Sequence, residues 1–328
     1  MISGKTIFIS PLDWGLGHAT RCIPIIRKLE KENKIILGVT PLTKDVFEDT
    51  FPHIKKINVP SYNIRYSSVL PLWLKLLFAW PGISKVIRKE NRLISRIIQE
   101  HKIDILISDN RFGLFSKDAY TIFITHQVFL KAPFAAGIAQ SINSNYIMRF
   151  DEVWIPDYES NAENLSGELS HGRHFHNKIK YIGPQSAMSD LTLKSSTAEP
   201  IDFLVLLSGV EPQRSILEKE LLERFKGSPQ NIVLVRGSKE GPKPITSHIK
   251  IIDFASGEVL KQLIVNATTV VCRSGYSTLM DLHILGKKKL ILIPTPGQTE
   301  QEYLACYWKK KFSTVCLEQE NINVFHFS

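Results

Sequence analysis

Short runs of Ile, Val, Leu and Phe recur along the chain, and most lead through a turn into a stretch whose apolar residues repeat with helical spacing. "KTIFISP", "KIILGVT", "KINVP", "DILISD", "TIFITH" and "EVWIPD" come first, then "FLVLLSG", "NIVLVRG", "IKIIDF" and "TTVVC". Runs with no polar alternation suit strands buried on both faces, and helices between them provide the crossovers that parallel strands require. The expected class is α/β with parallel sheets. No repeat of solenoid period interrupts the pattern.

The alternation breaks once, at "YIGPQSAMSDLTLKSSTAEPID", residues 181 to 202, where small and polar residues end in proline. A chain of 328 residues exceeds one ordinary hydrophobic core. Two doubly wound halves are therefore expected, 1–195 and 196–328.

Charge narrows the partners. Lys and Arg number 41 against 32 Asp and Glu, a net +9 that favours anionic partners such as nucleotides or acidic lipid surfaces. The basic residues are not interleaved with aromatics as in a nucleic-acid module, so nucleic acid is not an expected partner. Cys22, Cys272, Cys306 and Cys316 show no CxxC spacing, which points to reduced thiols, no zinc site and a cytoplasmic protein. The N-terminus enters a strand without an apolar leader, so secretion is not expected.

One segment stands apart. Leu72, Trp73, Leu74, Leu76, Leu77, Phe78 and Trp80 are followed by Lys85, Arg88, Lys89, Arg92 and Arg96. The apolar part is too interrupted to span a bilayer. It reads either as a helix lying in an anionic membrane interface or as a core helix leading into a solvated basic one.

Three strand ends open onto glycine turns that start helices: "DWGLGH", "SGVEPQ" and "RSGYST". Unpaired N–H groups and the positive helix end make such turns anion sites. One alone means little. Three at the carboxyl ends of strands indicate a ligand at that edge, in a cleft between the halves. The GxGxxG and GxxxxGK[ST] spacings are absent, so neither an NAD enzyme nor a P-loop NTPase is expected. His18 sits in a first helical turn beside Gly15 and Gly17; a positive helix end favours the neutral imidazole, so His18 is a base or a simple cap. Asp13 either orients it or only shapes the turn. Arg273, Ser274, Gly275, Ser277 and Thr278 would offer donors to a diphosphate. Asp281 would accept from ribose hydroxyls or close a capping box with Thr278. Gln301 and Glu302 would meet a sugar or lie exposed on a helix.

The stretch "CRSGYSTLMDLHILGKKKLILIPTPGQTEQEYLA" resembles the donor-nucleotide signature of GT-B glycosyltransferases, above all glycosyltransferase family 28, and "GLGHATRCIPIIRKL" is similar to the N-terminal glycine loop of that family and of UDP-sugar hydrolases of pseudaminic acid synthesis. The resemblance implies a GT-B-like α/β fold, two doubly wound Rossmann-like domains facing a central cleft, with acceptor bound by the first and donor by the second. It places ribose at Asp281, phosphate at Arg273, Ser274 and Gly275, and the diphosphate loop at Ser208 and Gly209. Uracil would be read by backbone near Phe254 and Ala255, and the sugar by Gln301 and Glu302. Gly15, Gly17, His126 and Gln127 would face the acceptor.

The implied reaction is metal-independent transfer from a UDP-sugar co-substrate, with no other cofactor, to a hydroxyl on a lipid-linked or cell-envelope glycan precursor, His18 acting as base. The enzyme would be cytoplasmic or peripheral on the inner face of the membrane. A UDP-sugar hydrolase and a non-catalytic nucleotide-sugar sensor remain as alternatives. The chain departs from the family pattern at Asp281 and Glu302, in the shorter N-terminal loop, and in stopping at "NVFHFS", where such proteins usually return a helix to the first domain; a fragment is one reading.

Overall fold

The computed structural model describes residues 2–62, 72–131, 136–171, 177–192, 199–209, 211–238 and 249–327. The first unit contains β1 (Thr6–Pro11), α1 (Gly17–Leu29), β2 (Lys34–Val39), α2 (Pro41–Thr50), β3 (Lys55–Asn58), α3 (Leu72–His101), β4 (Ile105–Asp109), β5 (Tyr120–Ile124), α4 (Ala136–Ile147), β6 (Glu152–Ile155) and β7 (Ile179–Tyr181). Its sheet is parallel throughout, in the order β3-β2-β1-β4-β5-β6-β7.

The unbroken apolar runs have a direct packing cause. In β1, Ile7 and Ile9 face one layer with Ala19, Cys22 and Ile26 of α1. Phe8 faces the other, with Ile94, Ile97 and Ile98 of α3. A polar residue at any of these positions would be buried without a partner. α3 shows the complementary pattern: Ile83, Ile87, Glu90, Ile94, Ile97 and Ile98 are buried, while Lys85, Arg88, Lys89, Arg92 and Arg96 are exposed. The basic stripe is thus the solvent face of a helix packed on the sheet. Trp80 meets Tyr146 of α4 edge-on at 6.0 Å. The side chains of Leu72 to Phe78 lie outside the described residues. Among the described residues no helix is long and apolar enough to cross a membrane.

The second unit contains β8 (Ile201–Leu206), α5 (Gln213–Arg224), β9 (Ile232–Val235), β10 (Ile249–Ile252), α6 (Gly257–Asn266), β11 (Ala267–Cys272), α7 (Tyr276–Ile284), β12 (Leu290–Leu292), α8 (Thr299–Phe312) and β13 (Val315–Cys316). Its parallel sheet runs β10-β9-β8-β11-β12-β13. The chain's last residues pack on this unit: Phe327 lies 4.6 Å from Phe225 between ring centroids, and Arg224 Nη2 donates to the Phe325 carbonyl at 2.7 Å.

The first unit runs to Ala187 and the second takes up at Met188. The boundary expected at residue 195 falls among 193–198, outside the described residues. Residues 188–191 belong with the second unit because Lys261 of α6, itself buried, donates to the carbonyls of Met188 at 3.0 Å and Leu191 at 2.5 Å.

Each sheet reverses its winding at one place, between β1 and β4 in the first unit and between β8 and β11 in the second. Loops leaving adjacent strands in opposite directions open a crevice at the carboxyl edge. The glycine turns noted in the sequence follow β1, β8 and β11.

Candidate functional site

In the first unit, the turn after β1 passes through Gly15 at φ 87° and delivers His18 as the second residue of α1. His18 Nδ1 lies 2.7 Å from Oδ1 of Asp109, the fully buried last residue of β4. One helical turn further on, Arg21 grips the same carboxylate: Nε donates to Oδ2 at 2.5 Å and Nη2 to Oδ1. Arg21 Nη1 also donates to Nδ1 of His126, which follows β5, at 2.9 Å. Cys22 Sγ donates to Asp109 Oδ2 at 3.5 Å.

Burial alone would raise the Asp109 pKa, but the Arg21 charge and then His18 overcome it and hold the carboxyl well below the usual range. An ionised carboxylate only accepts hydrogen bonds, so His18 carries a proton on Nδ1, and in its neutral form the lone pair is on Nε2. Nε2 has no partner among the described residues. The 2.9 Å approach of Arg21 Nη2 to His18 Nδ1 is then a meeting of two donors that share one oxygen. A buried acid orienting an imidazole with a free outer nitrogen is the arrangement of a general base.

The carboxylate against His18 is therefore Asp109 and not Asp13. Asp13 accepts the Tyr62 N–H at 3.3 Å and lies 3.8 Å from Arg111 Nη1. Arg111 is itself buried, its Nε on Glu90 Oε1 at 2.6 Å and its Nη1 on the Pro11 carbonyl at 3.2 Å. Glu90 Oε2 also accepts from Tyr62 Oη at 2.8 Å and the Gly113 N–H at 3.1 Å. Burial pushes the Glu90 carboxyl up, with Arg111 opposing it. This cluster fixes α3 and the loop after β4 against the turn that carries His18. Asp109, Arg21, Arg111 and Glu90 were not singled out from the sequence, although "SDNRFG" after an apolar strand, residues 108 to 113, is the same kind of signal as "DWGLGH". Gly17 begins α1, and Gln127 is half-buried beside His126, its carbonyl accepting from Asn143 Nδ2 at 3.1 Å.

In the second unit, Ser208 and Gly209 follow β8, Gly209 at φ 99° with open space where a Cβ would stand. Gly275 caps α7 and likewise faces open space. The N–H groups of the first turn, including Ser277 and Thr278, form the helix's positive end. Because Gly275 is the cap, Thr278 lies inside the helix and no capping box forms with Asp281, which sits half-buried one turn along. Phe254 and Ala255 follow β10, Phe254 43% exposed and open to a stacking partner.

Arg273 differs from the expectation. Its side chain is buried: Nη1 donates to the carbonyls of Ile293 at 3.2 Å and Pro294 at 3.0 Å, and Nη2 to that of Gln213 at 3.0 Å. Burial brings its pKa down to about 10, against the pull of Glu220. It clamps the segments after β11 and β12 to the start of α5 and does not present its charge to a diphosphate. Ser274 Oγ is also buried and donates to the Gln301 carbonyl at 2.7 Å. Gln301 Oε1 accepts from the Thr295 N–H at 2.9 Å and Nε2 donates to Gln298 Oε1 at 2.7 Å, while Glu302 Oε1 accepts from the Gly297 N–H at 2.9 Å. Both side chains shape the loop before α8, Gln301 half-buried and Glu302 exposed.

Residues 214–326, most of the second unit, match the Glycosyltransferase family 28 C-terminal domain. No curated protein matches the sequence closely enough to count as a relative. Among solved structures, CalG4, the calicheamicin glycosyltransferase, shares 13% identity at a TM-score of 0.63, covering 98% of this chain and 87% of that one. The spinosyn rhamnosyltransferase SpnG complexed with thymidine diphosphate shares 8% identity at 0.65, covering 97% and 90%. MurG from Acinetobacter baumannii shares 11% at 0.55, covering 98% and 89%. At such identities the likeness is one of fold, and that fold is GT-B.

Proposed function

We propose, for a chain that is a family 28-like glycosyltransferase of GT-B fold, that the donor is a UDP-sugar bound by the second unit and that His18 in the first unit deprotonates an acceptor hydroxyl. The observation that carries this reading is the His18–Asp109 pair, with its outer nitrogen unengaged beside a glycine turn that lets a ligand approach. As the acceptor O–H gives its proton to His18 Nε2, the oxygen forms a bond to the sugar's anomeric carbon. The bond from that carbon to the diphosphate oxygen breaks, and UDP leaves with the electron pair. Developing charge on the diphosphate would be met by the N–H groups at the start of α7, the hydroxyls of Ser277 and Thr278 and the loop at Ser208 and Gly209, so the reaction needs no metal. Phe254 would lie against the base and Asp281 would accept from the ribose.

For the acceptor, the exposed basic face of α3 supports a molecule presented at an anionic membrane surface, a lipid-linked glycan precursor. The test is UDP release from UDP-sugars with and without hydroxyl acceptors, in EDTA. Release that depends on acceptor and survives EDTA is expected. Complete release without acceptor would make the chain a hydrolase, and binding without any turnover would make it a sensor.

A further inference from the structure

Five charged side chains form a continuous ion-paired chain under the carboxyl edge of the second sheet. Glu218, on the buried face of α5, accepts from Arg236 Nε on Oε1 at 2.7 Å and from Arg214 Nη1 on Oε2 at 3.1 Å. Arg236 follows β9 and is buried; its Nη1 reaches Asp253 Oδ1 at 2.9 Å, one residue before Phe254. Arg214 reaches the other way, its Nη2 donating to Glu211 in the loop that carries Ser208 and Gly209. It also touches the Arg236 carbonyl, Nη1 to O at 3.4 Å.

Stability does not account for this chain. Taking two guanidiniums and a carboxylate out of water costs about as much as their attraction returns, and apolar residues of similar size would serve as well. What the chain does is add a side-chain link between two loops whose backbones, among the described residues, meet the end of β9 and the segment after it only at their bases, Leu207 N–H on the Val235 carbonyl at 2.9 Å and Ser238 N–H on the Asp253 carbonyl at 3.1 Å. Its ends, Glu211 and Asp253, are 53% and 55% exposed and stand in the loop after β8 and the loop after β10, with β9 between them. The backbone beside Arg236 is equally constrained: a Cβ on Gly237, at φ 68°, would lie 2.6 Å from the Leu207 carbonyl, next to Ser208.

We propose that Glu218 is a positioning residue which, through Arg214 and Arg236, holds the diphosphate loop and the base-reading loop at the separation a nucleoside diphosphate spans; this rests on the donor reading given above. Loops ordered in advance need not be ordered on binding, and affinity rises accordingly. The two arms then have separate effects. The Asp253 arm serves the base, and the Glu211 arm serves the diphosphate.

Calorimetric titration of the full chain with UDP and with uridine tests this. Asp253→Asn should weaken both ligands by the same factor, roughly three- to tenfold, while Glu211→Gln should weaken UDP by a similar factor and leave uridine unchanged. Glu218→Gln should weaken both ligands, and UDP most; if that variant does not fold, the two half-exposed variants still decide the matter. A purely structural network would lower thermal stability and leave the affinities of the folded protein intact. UDP affinity within about twofold of the unmodified chain in both Asp253→Asn and Glu211→Gln, or equal uridine losses in the two, would overturn the proposal. Failure of the unmodified chain to bind either ligand overturns the donor reading instead, and the proposal falls with it.

Discussion

Asp109 takes hydrogen bonds from His18 and Arg21 while lying entirely out of water, and the two partners depend on it in different ways. Asp109→Asn would leave Arg21 buried without its counter-charge, a loss of about 3–5 kcal/mol that urea denaturation would register. His18→Ala leaves that ion pair in place, so turnover should fall roughly 10²–10⁴-fold with little change in stability or in the KM for donor. Steady-state kinetics beside urea midpoints separate the two. The pH dependence has a definite sign. The folded pKa of Asp109 is depressed below its ordinary value of 3.8, so its stabilisation is complete above that value and is lost as pH falls through the folded one. The stability gap between the unmodified chain and Asp109→Asn should therefore narrow from pH 7 to pH 3. Arg273 gives the opposite lesson about an arginine beside a glycine turn. With three backbone carbonyls to satisfy, Arg273→Lys should lose about 1–3 kcal/mol in denaturant titration, and the salt dependence of nucleotide binding should stay the same.

At the scale of elements, the apolar runs were readable because a strand covered on both faces tolerates nothing else, and β1 to β6 and β8 to β11 fall where those runs do, whereas the short β7, β12 and β13 match none of them. The packing of α3 was not readable: its buried face includes Glu90, a residue that a hydrophobic pattern counts as solvent-facing. Only the arrival of Arg111, Tyr62 and Gly113 makes that burial tolerable. Gly113 is what lets the helix come so close, since an added Cβ would lie 2.6 Å from the Ile87 carbonyl and would collide with the Glu90 carboxylate. Gly113→Ala should cost about 1–3 kcal/mol by overpacking, measurable as a lowered urea midpoint. If the helix simply shifts to make room, stability will be unchanged.

For the whole molecule, the donor reading predicts that UDP stabilises the chain against heat, by about 2.7 kcal/mol at a hundred times its Kd, with dTDP, GDP and ADP doing less. A thermal-shift series across these nucleotides measures it, and an equal response to all four would remove the case for uracil. The lipid-acceptor reading predicts co-sedimentation with vesicles containing anionic lipid and release by salt, since each basic residue near the surface adds about 1 kcal/mol. Equal, negligible sedimentation with neutral and anionic vesicles would leave a soluble acceptor.

The sequence by itself determined the class of fold, the parallel sheets and the strand ends that open onto glycine turns. These follow from local periodicity and from the turns that parallel connections require. It also singled out His18, because a titratable residue in a glycine turn is visible in one stretch of chain. Tertiary structure alone decided which acid serves that histidine, because Asp109 lies 91 residues away and reaches His18 only when β4 pairs beside β1. It likewise decided what Arg273 does. The residue type and its neighbours suit phosphate, but the carbonyls of Gln213, Ile293 and Pro294 converge on the side chain only in the folded sheet, and a buried guanidinium must bond to whatever acceptors surround it.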